Sequence, residues 1–226
     1  YKGNLPFFYS TNFFPELNPI VENWVKIRNE LIEYERINGA INSINTYSPP
    51  KLSNNNGWSN LYFENFMWRK HKNRKNFPFT CSVLDTIPNC TYGAISILFP
   101  NATILPHYGD TNGIVRCHLG LDIPDSHPTC GIRVGTEEQG WENGKFTIFT
   151  EAHLHTTWNN SLKKRYILVV DIIPSFFSES KLEICSRVLG AQTFNYFEKR
   201  FPILKKIPDS KLGSINWLLA FAWRCF

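Results

Sequence analysis

Methionine is nearly missing from this chain, with one in 226 residues, and charge is sparse, Asp, Glu, Lys and Arg together making 19%. No apolar run approaches the roughly 18 residues that a membrane-spanning helix needs, so no helical span is expected in this stretch. The cysteines at 81, 90, 117, 130, 185 and 225 form no Cys-x-x-Cys, which argues against a structural zinc site and a thioredoxin-type motif. If any pair is bonded, spacing favours Cys81 with Cys90. No internal repeat is visible. No recognised nucleic-acid motif surrounds the densest basic run, Arg69–Lys75, so it reads as a solvated loop and nucleic acid is not an expected partner. Asn89, Asn101 and Asn159 open glycosylation sequons, a number that the Asn, Ser and Thr content produces by chance. The chain starts at Tyr1, which leaves an upstream targeting or anchoring segment, and therefore the compartment, open.

Apolar residues are plentiful: 42% are hydrophobic, mean hydropathy is −0.27, and the net charge is +5. That supplies a core and excludes a disordered chain. From Glu16 to Arg36, Leu17, Val21, Trp24, Ile27, Leu31 and Tyr34 recur at helical spacing and predict one amphipathic helix starting near Pro15 and Pro19. Ser48–Gly57 reads as loop, and the aromatic-rich stretch Trp58–Trp68 reads as core. After Cys90 the pattern changes to short β-branched runs separated by turn signals: Tyr92–Phe99, Ile114–Ile123, Gly131–Val134, Lys145–Phe149 and Tyr166–Ile173. Such a series predicts a sandwich or barrel, so the chain is mainly β with flanking helices. Helical spacing returns after Ser178, with Leu182, Cys185, Val188 and Leu189 on one side. The apolar end, Ile215–Phe226, suits a helix docked on the barrel, with a dimer surface or a membrane-surface contact as alternatives. One main domain to about residue 175, followed by a helical extension over 176–226, is the expected organisation.

His107 and His155 are the first candidates for chemistry. Each lies at the end of a strand-like run, and two neutral imidazoles can share iron, copper, nickel or zinc. The usual non-heme iron triad adds a carboxylate two residues after the first histidine, where this chain has Gly109. Arg116 and Arg165 lie inside apolar strand-like runs, and alternation puts Arg116 and His118 on one face. A buried guanidinium requires a partner. Either a dicarboxylate ligand or an internal salt bridge to Asp or Glu meets that need.

Several motifs occur together in order: Ile104-Leu105-Pro106-His107-Tyr108-Gly109-Asp110-Thr111-Asn112 running into Arg116-Cys117-His118-Leu119-Gly120-Leu121; Cys130-Gly131-Ile132-Arg133; Trp141-Glu142-Asn143-Gly144-Lys145; and His155-Thr156-Thr157-Trp158 with Arg165 ten residues on. This set resembles the aspartyl/asparaginyl β-hydroxylase family, most specifically over 92–173 and weakly back through Trp58–Phe66. The resemblance implies a double-stranded β-helix (jelly-roll) core and an Fe(II)- and 2-oxoglutarate-dependent dioxygenase that uses O2 to hydroxylate a substrate carbon, foremost the β-carbon of Asp or Asn in a peptide or protein. A lipid or small-metabolite substrate, or a jelly-roll binding module without activity, are the alternatives. In that family two histidines hold the iron and glycine stands at the carboxylate position, so Gly109 becomes a supporting feature. The resemblance makes His107 and His155 the iron ligands. It assigns Arg165 and Ser96 to the distal carboxylate of 2-oxoglutarate, and Arg116 and His118 to its iron-proximal end.

The chain departs from the family in two places. Ile114 stands where relatives carry a basic residue thought to face the substrate carboxylate, which implies an apolar substrate wall there unless Arg133 or Arg69 supplies the charge. Thr150-Glu151-Ala152-His153-Leu154 replaces a more acidic and aromatic segment. His153 makes a His-x-His pattern with His155 and could be mistaken for a third ligand, a role not expected of it.

Overall fold

Helix α1 (Asn18–Asn38) turns Ile20, Trp24, Ile27, Leu31 and Tyr34 inward. Ile20, Ile27 and Leu31 are almost fully buried, each contributing roughly 1.5–3 kcal/mol of apolar transfer. Val21, expected on that stripe, lies about 100° round the helix from Ile20 and is exposed. Leu17 belongs to the short 3-10 turn ahead of the helix. The computed structural model describes residues 3–41 and 57–225, so the loop expected over Ser48–Gly57 lies outside the described residues except for Gly57.

The other elements of the main unit, in chain order, are β1 (Phe8–Tyr9), β2 (Trp58–Asn65), β3 (Trp68–Arg69), α2 (His71–Asn76), α3 (Pro78–Leu84), β4 (Cys90–Leu98), β5 (Ala102–His107), β6 (Val115–Asp122), β7 (Cys130–Val134), β8 (Glu137–Gln139), β9 (Phe146–Phe149), β10 (His155–Asn159) and β11 (Arg165–Ile172). They form a seven-stranded sheet in the order β1-β9-β6-β11-β4-β2-β3 and a four-stranded sheet in the order β5-β10-β7-β8. Every strand pair is antiparallel. Two antiparallel sheets joined by crossovers make the expected jelly-roll, mainly β with flanking helices.

The central strands of the large sheet are buried on both faces, and alternation gives each face its own task. Val115, Cys117, Leu119 and Leu121 of β6 and Leu168, Val170 and Ile172 of β11 pack into the core with α1 and α3. Arg116, His118, Arg165, Ile167 and Val169 point the other way, into a cavity that Ile104, His107, His155 and Thr157 of the small sheet help to line. The helical layer is tied by Glu30, whose carboxylate accepts from the Phe79 and Thr80 amides at 2.8 Å each and from the Thr80 hydroxyl at 2.6 Å, capping α3. Such a cap is worth about 1 kcal/mol.

Several expectations change. The run Arg69–Lys75 is not a loop: it covers the end of β3 and most of α2, and Arg69 and Arg74 both pair with Asp85, at 3.1 and 2.5 Å. All six cysteines are free, Cys81 and Cys90 included. Strands β5, β8 and β10 go beyond the five expected runs. Pro106 obscures β5 in sequence, yet an edge strand tolerates proline because one side of its ladder is unpaired. β10 reads His-Thr-Thr-Trp-Asn, without the apolar alternation that marks a strand, because its inner face lines the polar cavity.

The chain forms a second unit over Ile173–Phe226. It contains α4 (Lys181–Arg200) and α5 (Asp209–Arg224), the latter starting six residues before the expected Ile215. Cys185, Val188 and Leu189 are buried as expected, whereas Leu182 is exposed.

Candidate active site

His107 and His155 face each other in register across β5 and β10, with ring centroids 4.2 Å apart. Each Nδ1 lies on a backbone carbonyl, His107 on Leu105 at 2.8 Å and His155 on His153 at 2.9 Å. A carbonyl only accepts, so each Nδ1 carries the proton and each Nε2 keeps its lone pair. Burial holds both rings neutral; His155 is pushed down to about 3 by burial and then by His107 beside it. Two fixed, neutral, lone-pair-bearing imidazoles fit a divalent metal, and backbone-anchored Nδ1 atoms are the usual outer support for such ligands. Among the described residues no group of three His, Cys, Asp or Glu side chains gathers to hold a metal.

The space next to His107 explains the missing carboxylate. The Gly109 amide donates to the Glu151 carbonyl at 2.8 Å, and a Cβ at position 109 would collide with the Glu151 carboxyl group. That carboxyl group is turned to Arg116, with Nη1 to Oε2 at 2.5 Å. Arg116 also grips Asp171 in a fork, Nε to Oδ1 at 2.8 Å and Nη2 to Oδ2 at 2.6 Å. Burial pushes Glu151 up to about 8 and raises Asp171, against the opposing pull of Arg116. Arg116 lines the cavity, but its charge is already met inside the protein, so the salt-bridge alternative holds for this arginine.

Arg165 is different. It is fully buried, its Nε and Nη1 have no partner, and its Nη2 reaches only the Ser96 hydroxyl at 3.4 Å. Its guanidinium lies 4.8 Å from the Trp141 ring, and burial pushes its pKa down to about 9. His118 Nδ1, Trp141 Nε1 and Thr157 Oγ1 are also buried without a partner. Four such residues, three of them on the wall of one cavity, are costly to leave unpaired, and an anionic ligand rich in acceptors would satisfy them together. Arg165 and Ser96 therefore suit one carboxylate end of a dicarboxylate, with His118 on the wall of the same cavity.

The other candidates fall elsewhere. Ile114, just before β6, is buried and outside the set of residues lining this cavity. His153 has its Nε2 on the Leu5 carbonyl at 2.8 Å and its ring against Phe7, so its position fits an anchor for the N-terminal segment. Arg133 is exposed on β7 beside Thr156, on the face opposite to His155. Arg69 is on the far edge strand of the large sheet, so neither arginine lines the cavity. Asp171 was not singled out from the sequence, although a lone acid in the apolar run Tyr166–Ile173 was a signal for it. Trp141 was named only as part of the Trp141–Lys145 motif, without a role at the site. A larger cavity of about 660 Å³, by Thr11, Phe14, Leu17 and Lys145, holds no cluster of titratable groups.

Fold and site together define a jelly-roll protein with a two-histidine cavity and a buried, unsatisfied arginine beside it. The chain belongs to the aspartyl/asparaginyl β-hydroxylase family, whose sequence pattern matches residues 21–174, and it is thus a member of a hydroxylase family. It is 30% identical over 181 residues to the ornithine lipid ester-linked acyl 2-hydroxylase of Rhizobium tropici, covering 79% of this chain and 64% of that one. It is 31% identical over 172 residues to human aspartyl/asparaginyl β-hydroxylase, covering 72% of this chain and 21% of that one. A prolyl-4-hydroxylase structure from Pseudomonas putida superposes with a TM-score of 0.42 at 12% identity, over 71% of this chain and 88% of that one.

Proposed function

We propose that this chain is an Fe(II)- and 2-oxoglutarate-dependent oxygenase that hydroxylates a carbon of an acyl-type, apolar substrate. The observation carrying this reading is the pairing, in one cavity, of two free imidazole Nε2 atoms with the unpartnered Arg165 guanidinium. His107 and His155 would hold the metal. Arg165 with Ser96 would clamp the far carboxylate of 2-oxoglutarate, and His118 would meet its other end. When bound, iron and 2-oxoglutarate supply the O2-derived oxidation that converts a C–H to a C–OH while 2-oxoglutarate becomes succinate and CO2. The chain's own residues orient the co-substrate by charge, and the apolar Ile104, Phe149, Ile167 and Val169 exclude water around it.

Charge supports the apolar substrate. Arg116 is satisfied by Asp171 and Glu151, and Arg165 is assigned to the co-substrate, which leaves no free cation on the cavity wall among the described residues for an acidic side chain. Exposed Leu105, Tyr108 and Leu154 adjoin the two histidines in the chain. The similarity to a lipid acyl hydroxylase agrees with that surface.

A peptide substrate is the second reading, favoured by the similarity to human aspartyl/asparaginyl β-hydroxylase; a neutral Asn side chain needs no free cation. Succinate release from 2-oxoglutarate under Fe(II), first alone and then with an acyl lipid or with Asn and Asp peptides, tests both. Stimulation by the lipid supports the first reading and stimulation by the peptides the second. No metal-dependent turnover under any condition would identify a binding module instead.

A further inference from the structure

The second unit, Ile173–Phe226, begins where the stretch that matches the hydroxylase family ends, at residue 174. Its two helices approach closely: a Cβ at Gly190 would lie 2.8 Å from the Ala220 amide nitrogen and 3.0 Å from the Asn216 carbonyl oxygen. Trp223 Nε1 donates to the Thr193 hydroxyl at 3.0 Å, which fixes the pair further. Between them runs the turn that ends α4, the 3-10 segment Pro202–Lys206 and the start of α5.

This turn carries two kinds of side chain in mixture. Tyr196, Phe197, Phe201 and Ile203 are exposed, at 65, 42, 50 and 67%. Lys199, Arg200, Lys205, Lys206 and Lys211 are exposed among them. None of these five makes an ion pair among the described residues. The exposed aromatic and aliphatic groups are costly in water, whereas the cations among them are solvated there, Arg200 lying over the Phe201 ring at 5.7 Å. At a lipid–water interface the rings and the Ile203 side chain enter the acyl boundary and the cations meet phosphates. A second copy of the chain would bring like charge against like charge on this surface. An anionic bilayer offers complementary charge and an apolar interior within a few ångströms of each other. No helix among the described residues is long and apolar enough to cross a membrane, so the contact is a surface one.

We infer that the turn from Tyr196 to Lys211 is an interfacial docking site for an anionic phospholipid surface. The inference stands apart from the proposed activity, and its test reads no turnover. The full chain is sedimented with vesicles of phosphatidylcholine alone and with vesicles of equimolar phosphatidylcholine and phosphatidylglycerol. Binding is expected to the anionic vesicles, and to fall steeply as salt rises. The pair Phe201→Ser and Ile203→Ser should weaken it about tenfold or more, since much of the insertable apolar area is removed. The pair Lys205→Glu and Lys206→Glu should weaken it as much and flatten its salt dependence. All four positions are exposed, so melting temperatures should stay at the wild-type value, which separates lost docking from lost folding. Equal binding to both vesicle types, or no loss in either variant pair, would overturn the inference. So would failure to bind anionic vesicles; a concentration-dependent dimer that the Phe201→Ser, Ile203→Ser pair disrupts would then assign this surface to a second copy.

Discussion

His107 and His155 occupy opposed positions on neighbouring strands, each with Nδ1 on the carbonyl two residues earlier in the chain. Both Nδ1 atoms are thus held by backbone carbonyls, which leaves each Nε2 its lone pair. For the metal proposed above, both imidazoles would be held in place by the backbone, which is the preorganisation that a two-ligand site needs.

Removing one imidazole of this pair, in His155→Ala, is expected to lower metal affinity by more than the roughly 10–100-fold that loss of an outer-shell support costs. Anaerobic titration of Fe(II), or of Mn(II) as a substitute, reads the change, with far-ultraviolet circular dichroism checking the fold. Undiminished affinity would show that the metal binds elsewhere.

Arg165→Met should separate folding from co-substrate binding. The substitution replaces an unpaired buried charge by an apolar chain of similar length, so the ligand-free variant is expected to be at least as stable as the wild type. Stabilisation by 2-oxoglutarate in a thermal melt should vanish, and its apparent requirement should rise by roughly two to four orders of magnitude, equivalent to about 3–5 kcal/mol. A variant that uses 2-oxoglutarate normally would make Arg165 purely structural.

Gly109→Asp does not restore a three-ligand triad here. Its Cβ would collide with the Glu151 carboxyl group, so the variant is expected to lose about 1–3 kcal/mol by overpacking. Glu151→Ala relieves the collision, and the two substitutions together should cost less than the sum of each alone. Urea unfolding of both single variants and the double variant measures that coupling; strict additivity would mean that the two side chains do not compete for the space.

Ile114→Arg is expected to cost about 3 kcal/mol or more, because the position is 1% exposed and a guanidinium there would be buried. The sequence placed Ile114 on an apolar substrate wall; its burial outside the cavity lining argues against an arginine there. A chemical-denaturation curve with an unchanged midpoint would show that the position accepts the guanidinium.

Much of the site was legible because it follows local rules. Alternation placed Arg116 with His118 on one face and Arg165 within a buried strand, and both features hold in the sheet. The motifs around His107 and His155 marked the family, and 3.6-residue spacing marked α1. The missed strands share a cause: β5 and β10 present polar side chains to the cavity or carry proline at an edge, so the apolar signal that reveals a strand is absent where the chemistry is.

What the sequence determined by itself is therefore a mainly β fold and the placing of two arginines in strands, which rest on residue type and spacing, while the jelly-roll core and the histidine pair rested on the family resemblance. Only the tertiary structure decided which arginine is already neutralised and which is left open. Asp171 lies 55 residues from Arg116, and they meet because β11 and β6 pair in register. Glu151 reaches the same guanidinium from the segment before β10 and fills the space beside Gly109. Charge compensation depends on distances across a sheet and between sheets, which one-dimensional spacing does not encode. The same holds for Ile114, whose place in the motif suggested a substrate wall and whose burial puts it in the protein interior.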